Sequence, residues 1–185
     1  MENRDQRQKD EVAAWRGQLS LAGMNQFYVD CAREEWKYET LCDLFNIINL
    51  TQAIVYCNTA DKATWLAAKL ASDDFSAGAV HGLADATDTR AALTDFRVGK
   101  VRVLVVTDSV LINSELPTWG VSLTVNYDLP ANMDDYLVRI GRSGRFGRRG
   151  VAIDFVTEET AAQVRQLEEY YNTAIPPLPS DLAFL

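Results

Sequence analysis

The chain has 185 residues, of which 48% are hydrophobic and 24% are charged, values typical of one globular domain rather than of a disordered chain. No stretch approaches the roughly 20 apolar residues that a membrane-spanning helix needs, and the charged stretch from Met1 to Glu11 lacks the apolar core of a secretory signal. The net charge of −8 argues against a surface that binds nucleic acid everywhere.

The cysteine and histidine content argues against a metal centre and against a disulfide framework. Cys31, Cys42 and Cys57 stand far apart without a Cys-x-x-Cys pair, and His81 is the single histidine. We therefore expect no metal site. A reducing compartment fits this pattern best, with the cytoplasm as the first expectation and the nucleus as the second.

Strand and helix patterns alternate along the chain. Residues 1–19 are polar and are interpreted as a linker, residues 20–175 as one domain, and residues 176–185, which contain three prolines, as an irregular tail. Apolar patterning predicts strands at 26–30, 53–57, 76–80, 101–106, 121–127 and 151–156, and helices at 33–48, 61–71, 85–97, 132–140 and 158–171. This alternation with short loops predicts an α/β fold, a mainly parallel central sheet with helices on both faces.

Parallel sheets of this kind bind their ligands beyond the carboxyl ends of the strands. The residues that directly follow predicted strands are Asn58-Thr59, His81-Gly82, Thr107-Asp108 and Asp128-Leu129-Pro130. Taken singly, Thr59 and Thr107 fit simple loop capping, and His81 fits an ordinary turn residue.

Positive charge is concentrated in one segment. Residues 136–153 contain five arginines and no acidic residue, whereas the rest of the chain has 13 basic residues (18 minus these five) against 26 acidic ones. The five arginines are Arg139, Arg142, Arg145, Arg148 and Arg149. Guanidinium groups pair bidentately with phosphate oxygens, so this segment predicts a local site for an anionic ligand. The alternative is a solvated arginine-rich turn that pairs with the acidic body of the domain.

Two of these arginines have the spacing of a phosphate site. Arg142 and Arg145 would share one face if the helix continued through them, and Gly141 and Gly144 would let a second surface approach closely. The phosphate-binding loop Gly-x-x-x-x-Gly-Lys-Ser/Thr is absent from the sequence. The chain would then contribute half of a nucleotide site, as arginine fingers do for a nucleotide held by another domain.

Several motifs, in this order, resemble the second RecA-like domain of the DEAD-box RNA helicases. Residues 136–150 (YLVRIGRSGRFGRRG) are similar to motif VI and residues 54–59 (IVYCNT) to motif IV, with His81-Gly82, residues 106–108 (VTD) and residues 126–130 (NYDLP) between them in the family's order. Residues 33–44, 150–159 and 170–173 are similar to the translation initiation factor 4A branch. The resemblance covers residues 19–185 and leaves out the family's first domain.

The resemblance implies a three-layer RecA-like fold of the P-loop NTPase superfamily and, in a full-length protein, an ATP-dependent RNA helicase. It implies ATP and Mg²⁺ bound mainly by the absent first domain, and an isolated fragment without activity. As partners it implies RNA, held by its backbone without regard to sequence, the first RecA-like domain and a translation-initiation scaffold protein, with no membrane.

The resemblance also assigns roles to individual residues. It makes Arg142 and Arg145 the catalytic arginine fingers that reach the γ-phosphate. It places Arg139, Gly141 and Glu115 at the ATP-binding cleft between the two domains. It gives contacts with RNA phosphates to Thr59, His81, Gly82 and Thr107.

Three elements depart from the family pattern. Motif V reads Leu111-Ile112-Asn113-Ser114-Glu115 instead of Ala-Arg-Gly-x-Asp, Val138 replaces the histidine of motif VI, and Ala86 and Thr89 replace a glutamine and an arginine. The exchange of arginine for Ile112 removes a permanent charge and five hydrogen-bond donors. These departures motivate an alternative function, a helicase-derived scaffold that binds RNA or a partner without productive unwinding. A flavodoxin-like nucleotide-binding protein is disfavoured by the missing phosphate loop.

Overall fold

The computed structural model describes residues 24–48, 51–110, 116, 120–143 and 150–182. Its strands are β1 (Met24–Ala32), β2 (Ala53–Tyr56), β3 (Ala77–Val80), β4 (Val103–Val106), β5 (Leu123–Asn126) and β6 (Gly150–Thr157). Its α-helices are α1 (Lys37–Ile47), α2 (Ala60–Ser72), α3 (Ala86–Arg97), α4 (Met133–Ile140) and α5 (Ala161–Tyr171). Short 3₁₀ turns at Glu34–Trp36 and Asp108–Val110 complete the described elements.

The six described strands form one sheet in the order β1-β6-β5-β2-β4-β3, and all neighbouring strands run parallel. Parallel neighbours need crossover connections, and a helix connects most successive strands of this chain. The predicted α/β fold with a mainly parallel sheet is confirmed. The β2, β4, β5 and β6 strands are buried along their whole length, as expected for a sheet covered on both faces.

The first face of the sheet is apolar and is covered by α1 and α2. Alternate residues of the central strands point to this face, since successive side chains of a strand point in opposite directions. They pack against Leu41, Leu44 and Phe45 of α1 and against Leu66 and Leu70 of α2. Burial of these side chains contributes roughly 1.5–3 kcal/mol each, so this face is a main source of the stability of the domain.

The second face is divided into two apolar clusters. One cluster lies under α3 and includes Leu93 and Phe96, and the other lies under α4 and α5 and includes Tyr136 and Leu167. Fully buried polar side chains lie on the strands between them, among them Asn126 on β5 and Asp154 on β6, along with Arg139 of α4. We call this band the polar seam.

Strand and helix ends differ from the predicted ones by a few residues. The fourth strand was predicted from Val101 but begins at Val103, because the main-chain N–H of Val101 still donates to the carbonyl of Asp95 in the turn after α3. The last residues of the described chain lie beside β1, where Tyr28 exchanges main-chain hydrogen bonds with Pro176 and Leu178.

Residues 1–19, interpreted as a linker, lie outside the described residues. In the part of the chain that the structure describes, no helix is long and apolar enough to cross a membrane.

Candidate functional site at the carboxyl edge of the sheet

The turns singled out in the sequence meet at one edge of the sheet. Because β5, β2, β4 and β3 are parallel neighbours, the residues that follow them emerge side by side. These residues are Asp128, Asn58-Thr59, Thr107-Asp108 and His81-Gly82. We call this surface the carboxyl edge.

Gly82, Thr107 and Ser109 form a hydrogen-bonded group at the β3 and β4 end of this edge. The main-chain N–H of Gly82 donates to the Ser109 hydroxyl over 3.0 Å, and the hydroxyls of Thr107 and Ser109 lie 2.8 Å apart. A Cβ atom on Gly82 would lie 2.9 Å from Ser109 Oγ and 3.1 Å from Ser109 Cβ, so a larger residue would displace the turn after β4. Glycine is therefore required at this position by close approach.

Thr59 and His81 are both tied to α2. The Thr59 hydroxyl accepts a hydrogen bond from the Lys62 N–H over 3.3 Å, so Thr59 is the N-cap of the helix. His81 Nε2 lies 2.9 Å from the Thr64 hydroxyl, and His81 Nδ1 is buried without a hydrogen bond to the described residues. The capping expected of Thr59 is present, and it leaves the residue exposed at the edge.

Arg139 lies at the centre of the polar seam and is fully buried. Its Nε donates to Asp108 Oδ1 over 2.6 Å and its Nη2 to Asp108 Oδ2 over 2.5 Å. Its Nη1 donates to Asn126 Oδ1 and to the carbonyl of Asp128, at 3.2 and 2.7 Å, and its Nη2 donates to Asn58 Oδ1 over 2.9 Å. A guanidinium has five N–H donors, so each donor has a partner within this domain.

This geometry gives Arg139 a structural role within the domain. Its place at the cleft between two domains, which the family resemblance implies, stays a prediction, while its donors here are all engaged by the turns after β2, β4 and β5 and by Asn126 at the end of β5. The guanidinium carbon also lies 5.1 Å from the centre of the Tyr56 ring. In this structure Arg139 thus joins three turns of the carboxyl edge to one another. We call Arg139 with Asp108, Asn58, Asn126 and the Asp128 carbonyl the arginine cluster.

Arg142 follows the end of α4 and is packed against the domain, with 7% of its surface exposed. It lies near Tyr56: burial raises the pKa of the Tyr56 hydroxyl, and the positive charges of Arg142 and Arg139 lower it in part. The α4 helix ends at Ile140, and Gly141, itself buried, forms its C-cap. The helix therefore does not extend through Arg142, which was the condition for one shared face with Arg145.

Several expected site residues lie outside the described residues. Arg145 and Glu115 belong to this group, as do the altered motif V positions Ile112 and Asn113. Val138, which replaces the motif VI histidine, is half-buried and packs against the apolar cluster under α3.

The polar seam continues from Arg139 to a second carboxylate. Asn126 Nδ2 donates to Asp154 Oδ1 over 2.7 Å, and the Tyr136 hydroxyl donates to Asp154 Oδ2 over 2.9 Å. Asp154 is fully buried, and this burial raises the pKa of its carboxyl to about 6, although Asn126, Tyr136 and the charge of Arg139 all lower it. The Tyr136 hydroxyl is also 3.1 Å from Gln26 Oε1 on β1.

A second charged cluster lies on the α1 and α2 side of the same edge. Lys62 Nζ is 2.8 Å from both Asp128 Oδ1 and Glu34 Oε1, and Lys37 Nζ is 3.3 Å from Asp128 Oδ1 and 2.7 Å from Glu34 Oε2. Burial opposes ionisation of Asp128, but hydrogen bonds from Lys62 and the Asn58 N–H, with the lysine charges, lower its pKa overall. Burial also opposes ionisation of Glu34, but the hydrogen bonds and charges of Lys37 and Lys62 together lower its pKa. We call these four side chains the lysine cluster.

Sequence reasoning singled out Asp108, Asn58 and Asp128 only as strand-end residues and gave no role to Asp154. One signal was present, because an aspartate in the middle of the otherwise apolar strand VAIDFV must find partners if it is buried. The lysine cluster had no comparable signal. Glu34 and Lys37 are three residues apart, but Lys62 and Asp128 lie far from them in the sequence and only the fold brings the four together.

The family of the chain follows from a comparison with protein-family profiles. The family described as "Helicase conserved C-terminal domain" matches residues 36–147. The chain belongs to this family, and within it to the C-terminal domains of DEAD-box helicases that resemble initiation factor 4A.

Curated relatives point to the same branch. The chain is 42% identical over 183 residues to "Eukaryotic initiation factor 4A" of Caenorhabditis elegans, covering 99% of this chain and 45% of that protein. It is 44% identical over 168 residues to "ATP-dependent RNA helicase eIF4A" of Schizosaccharomyces pombe, covering 91% of this chain and 42% of that protein. The chain thus spans less than half the length of these relatives.

Solved structures of the same class share the fold. The C-terminal domain of the DEAD-box protein Dbp5 is 32% identical with a TM-score of 0.79, over 88% of this chain and 93% of that one. Dbp5 of S. cerevisiae bound to RNA and ADP BeF3 is 32% identical with a TM-score of 0.77, over 86% of this chain and 42% of that one. These matches confirm the expected RecA-like helicase C-terminal fold.

Proposed function

We propose that this chain is the second RecA-like domain of an ATP-dependent RNA helicase. A first domain would hold ATP with Mg²⁺, and this domain would close over it and over single-stranded RNA. The proposal is carried by one observation: the four residues expected to meet RNA phosphates lie at the ends of three neighbouring strands. They are Thr59, His81, Gly82 and Thr107. The relative solved with RNA supports it, since that protein has the same fold.

For RNA, the carboxyl edge would offer contacts to the backbone rather than to bases. Hydroxyls and main-chain N–H groups bind phosphate oxygens without reading sequence. Thr59 is exposed, Gly82 is exposed and His81 lies beside them at the β3 end. Thr107 is 6% exposed, so its part would be to hold Ser109 and the turn that faces the RNA.

For ATP, the proposal gives Arg142 and Arg145 the role of arginine fingers, with Glu115 and Gly141 at the cleft. Arg142 is 7% exposed in this structure, so closure of the first domain would turn its guanidinium outward toward the triphosphate. A guanidinium there stabilises charge on the transferring phosphoryl group. By itself the chain would show no ATP hydrolysis.

The finger role can be tested in a fusion of this chain to the first domain of the C. elegans initiation factor 4A relative. We expect RNA-stimulated phosphate release from the fusion and none from the chain alone. Arg142→Ala should lower the rate roughly 10³-fold or more, the usual effect of losing an arginine finger. Arg165→Ala on the exposed side of α5 removes the same charge elsewhere and should leave the rate unchanged. An unchanged rate in Arg142→Ala would contradict the role.

The RNA contact can be tested on the chain itself with oligouridine. Gly82→Ala should weaken binding about threefold to tenfold, because the new Cβ would displace Ser109 and the turn after β4. Gly78→Ala, on the β3 strand that precedes Gly82, is the matched control, since its Cβ would meet Val101 at 3.6 Å, an ordinary contact. Equal binding by the two variants in fluorescence anisotropy would argue against this edge as the RNA site.

A second candidate function is an RNA-binding or partner-binding scaffold without productive unwinding. The observation that favours it is Val138, which packs into an apolar cluster and offers no hydrogen bond to a first domain. A translation-initiation scaffold protein is the partner that the resemblance suggests for either function. A fusion that binds RNA and ATP but releases no phosphate would support this candidate over the enzyme.

A further inference from the structure

The buried carboxylate of Asp154 has no role in the proposed function, and yet it is connected to the carboxyl edge. Asn126 and Asp154 are direct partners in the register of β5 and β6, so their side chains lie on the same face of the sheet. Asn126 then lies between Asp154 and Arg139, to which it is joined at 2.7 and 3.2 Å. Asp154 and Arg139 are both fully buried.

The direction of the Asn126 amide follows from the chemistry of its two neighbours. An ionised carboxylate only accepts hydrogen bonds and a guanidinium only donates them. Asn126 must therefore present its Nδ2 to Asp154 and its Oδ1 to Arg139. The opposite orientation would place the amide N–H groups against the guanidinium and leave two oxygens facing each other.

Arg139 transmits this arrangement to the edge. Its other donors hold Asp108 after β4, Asn58 after β2 and the carbonyl of Asp128 after β5. Asp108 lies between Thr107 and Ser109, and the Ser109 hydroxyl accepts from the Gly82 N–H. A change in Arg139 would thus reach the proposed phosphate contacts without any contact between Asp154 and RNA.

We propose that Asp154 is a positioning residue for the carboxyl edge, which sets the Asn126 amide and, through it, the guanidinium of Arg139 and the turns that face the RNA backbone. The effect of Asp154 on RNA binding rests on the proposed function. The effect of Asp154 on Arg139 rests only on the contacts within this domain. The Tyr136 hydroxyl fixes the other oxygen of Asp154 over 2.9 Å, so the carboxylate is held on both sides.

The test is NMR of the 185-residue chain near neutral pH, with the Arg139 Nε–H signal as a direct readout of positioning. In Asp154→Asn the Asn126 Nδ2–H loses its charged acceptor, and the neutral amide that replaces it holds Asn126 less firmly. We expect the signal to shift and its exchange with water to accelerate about threefold to tenfold, the range for the loss of one neutral hydrogen bond. Core methyl signals under α1 and α2 should stay in place.

Thr124→Val is the matched control. Thr124 is a fully buried residue of β5, two positions before Asn126, and its hydroxyl makes no hydrogen bond with the described residues. The replacement of Thr124 by valine is nearly isosteric and lies outside the chain of contacts from Asp154 through Asn126 to Arg139. The Arg139 Nε–H signal should therefore not move. A shift in Thr124→Val as large as in Asp154→Asn would overturn the proposal, as would an unmoved signal in Asp154→Asn.

A second readout separates this inference from the proposed function. Oligouridine is added to each protein, and the amide shifts of Gly82 and Thr107 are followed. We expect Asp154→Asn to need about threefold to tenfold more oligouridine than the parent chain and Thr124→Val. If the parent chain shows no response to oligouridine, the proposed RNA function fails, while the Arg139 signal still decides the positioning.

A further variant covers the case in which Asp154→Asn does not fold. Tyr136→Phe removes one of the two donors to Asp154 and keeps the ring in its apolar cluster. The Arg139 signal should then shift in the same direction by a smaller amount. An unchanged Arg139 signal in a folded Tyr136→Phe chain would overturn the proposal.

Discussion

Two charged clusters hold the carboxyl edge from opposite faces of the sheet, and Asp128 belongs to both. Its main-chain carbonyl accepts from Arg139, while its carboxylate accepts from Lys62 and Lys37. The arginine cluster is closed to water around the guanidinium, whose exposure is 0%. The lysine cluster is more open, since 32% of the Lys62 side chain and 53% of the Glu34 side chain are exposed.

The difference shows how the two cations act. A guanidinium is a planar fork whose donors have fixed directions, so Arg139 sets the relative positions of three turns. An ammonium is a compact charge on a flexible stem, and Lys37 and Lys62 share the same two carboxylates without a fixed geometry. We conclude that the arginine cluster determines the shape of the edge and that the lysine cluster mainly balances its charge.

The largest expected loss of stability comes from a substitution in the arginine cluster. Arg139→Ala removes the partner of the Asp108 carboxylate and of buried acceptors on Asn58 and Asn126. Breaking a buried pair from one side typically costs about 3–5 kcal/mol of the free energy of unfolding. Urea denaturation near neutral pH measures this loss in the free energy of unfolding.

Two further variants make this prediction more specific. Arg139→Lys keeps the charge but has three donors instead of five, so it should recover only part of the loss. Arg165→Ala, on an exposed position of α5, should stay within about 0.5 kcal/mol of the parent chain. If Arg139→Ala cost no more than Arg165→Ala, the guanidinium would not be holding the edge together.

A somewhat smaller effect on the free energy of unfolding is expected from the titration of the Asp154 carboxyl. Its pKa is raised to about 6 in the folded chain, above the ordinary value of about 3.9. The folded state therefore holds this proton more tightly than the unfolded state, and stability falls as pH rises from the ordinary pKa through the folded one. The loss amounts to about 2 kcal/mol between pH 4 and pH 7.

Asp154→Asn removes this titration. The free energy of unfolding of the variant minus that of the parent chain should therefore grow by about 2 kcal/mol from pH 4 to pH 7. Denaturation curves at several pH values give this difference directly. Parallel pH profiles for the two proteins would mean that the Asp154 carboxyl does not titrate in this window.

The smallest effects on the free energy of unfolding are expected in the lysine cluster. Here stability should fall as pH decreases, the opposite of the dependence expected from Asp154. The pKa of Asp128 is lowered, so its contribution is present above the ordinary pKa and is lost as pH falls through the folded value. Asp128→Asn should cost about 1–3 kcal/mol at neutral pH, the range for hydrogen bonds to a charged group. Glu34→Gln should cost less than about 1 kcal/mol and less still at high salt, because Glu34 is mostly in water.

Denaturation at low and high salt checks both variants of the lysine cluster. An equal and salt-independent loss for Glu34→Gln and Asp128→Asn would contradict the division between a cluster that sets shape and a cluster that balances charge. It would mean that Glu34 is held as firmly as the buried part of the edge.

Much of the fold could be predicted because its signals are local. The apolar runs that became β2, β4 and β6 are buried on both faces, and each begins or ends within two or three residues of its predicted bounds. Strand polarity followed from the alternation with helices. The carboxyl edge followed from strand polarity, which is why Thr59, Gly82 and Thr107 were singled out correctly as neighbours at one edge.

The side-chain environment of the arginines could not be predicted in the same way. The charge pattern placed Arg139 and Arg142 in one positively charged segment, and the family resemblance placed both at the cleft that faces a first domain. In the structure Arg139 is fully buried, because the carboxylate of Asp108 and the ring of Tyr56 lie next to it, and Arg142 is nearly buried as well. These partners are 31 and 83 residues away from Arg139 in the chain, and no local pattern connects them.

The amino-acid sequence alone determined the family, the parallel α/β architecture and the turns that form the working edge, because periodicity and motifs are properties of neighbouring residues. The tertiary structure alone decided which charges are paired, which carboxyl has a raised pKa and which arginine joins the turns. These depend on burial and on distances between residues far apart in the chain, since both the desolvation of a charge and the geometry of a hydrogen bond exist only once the chain has folded.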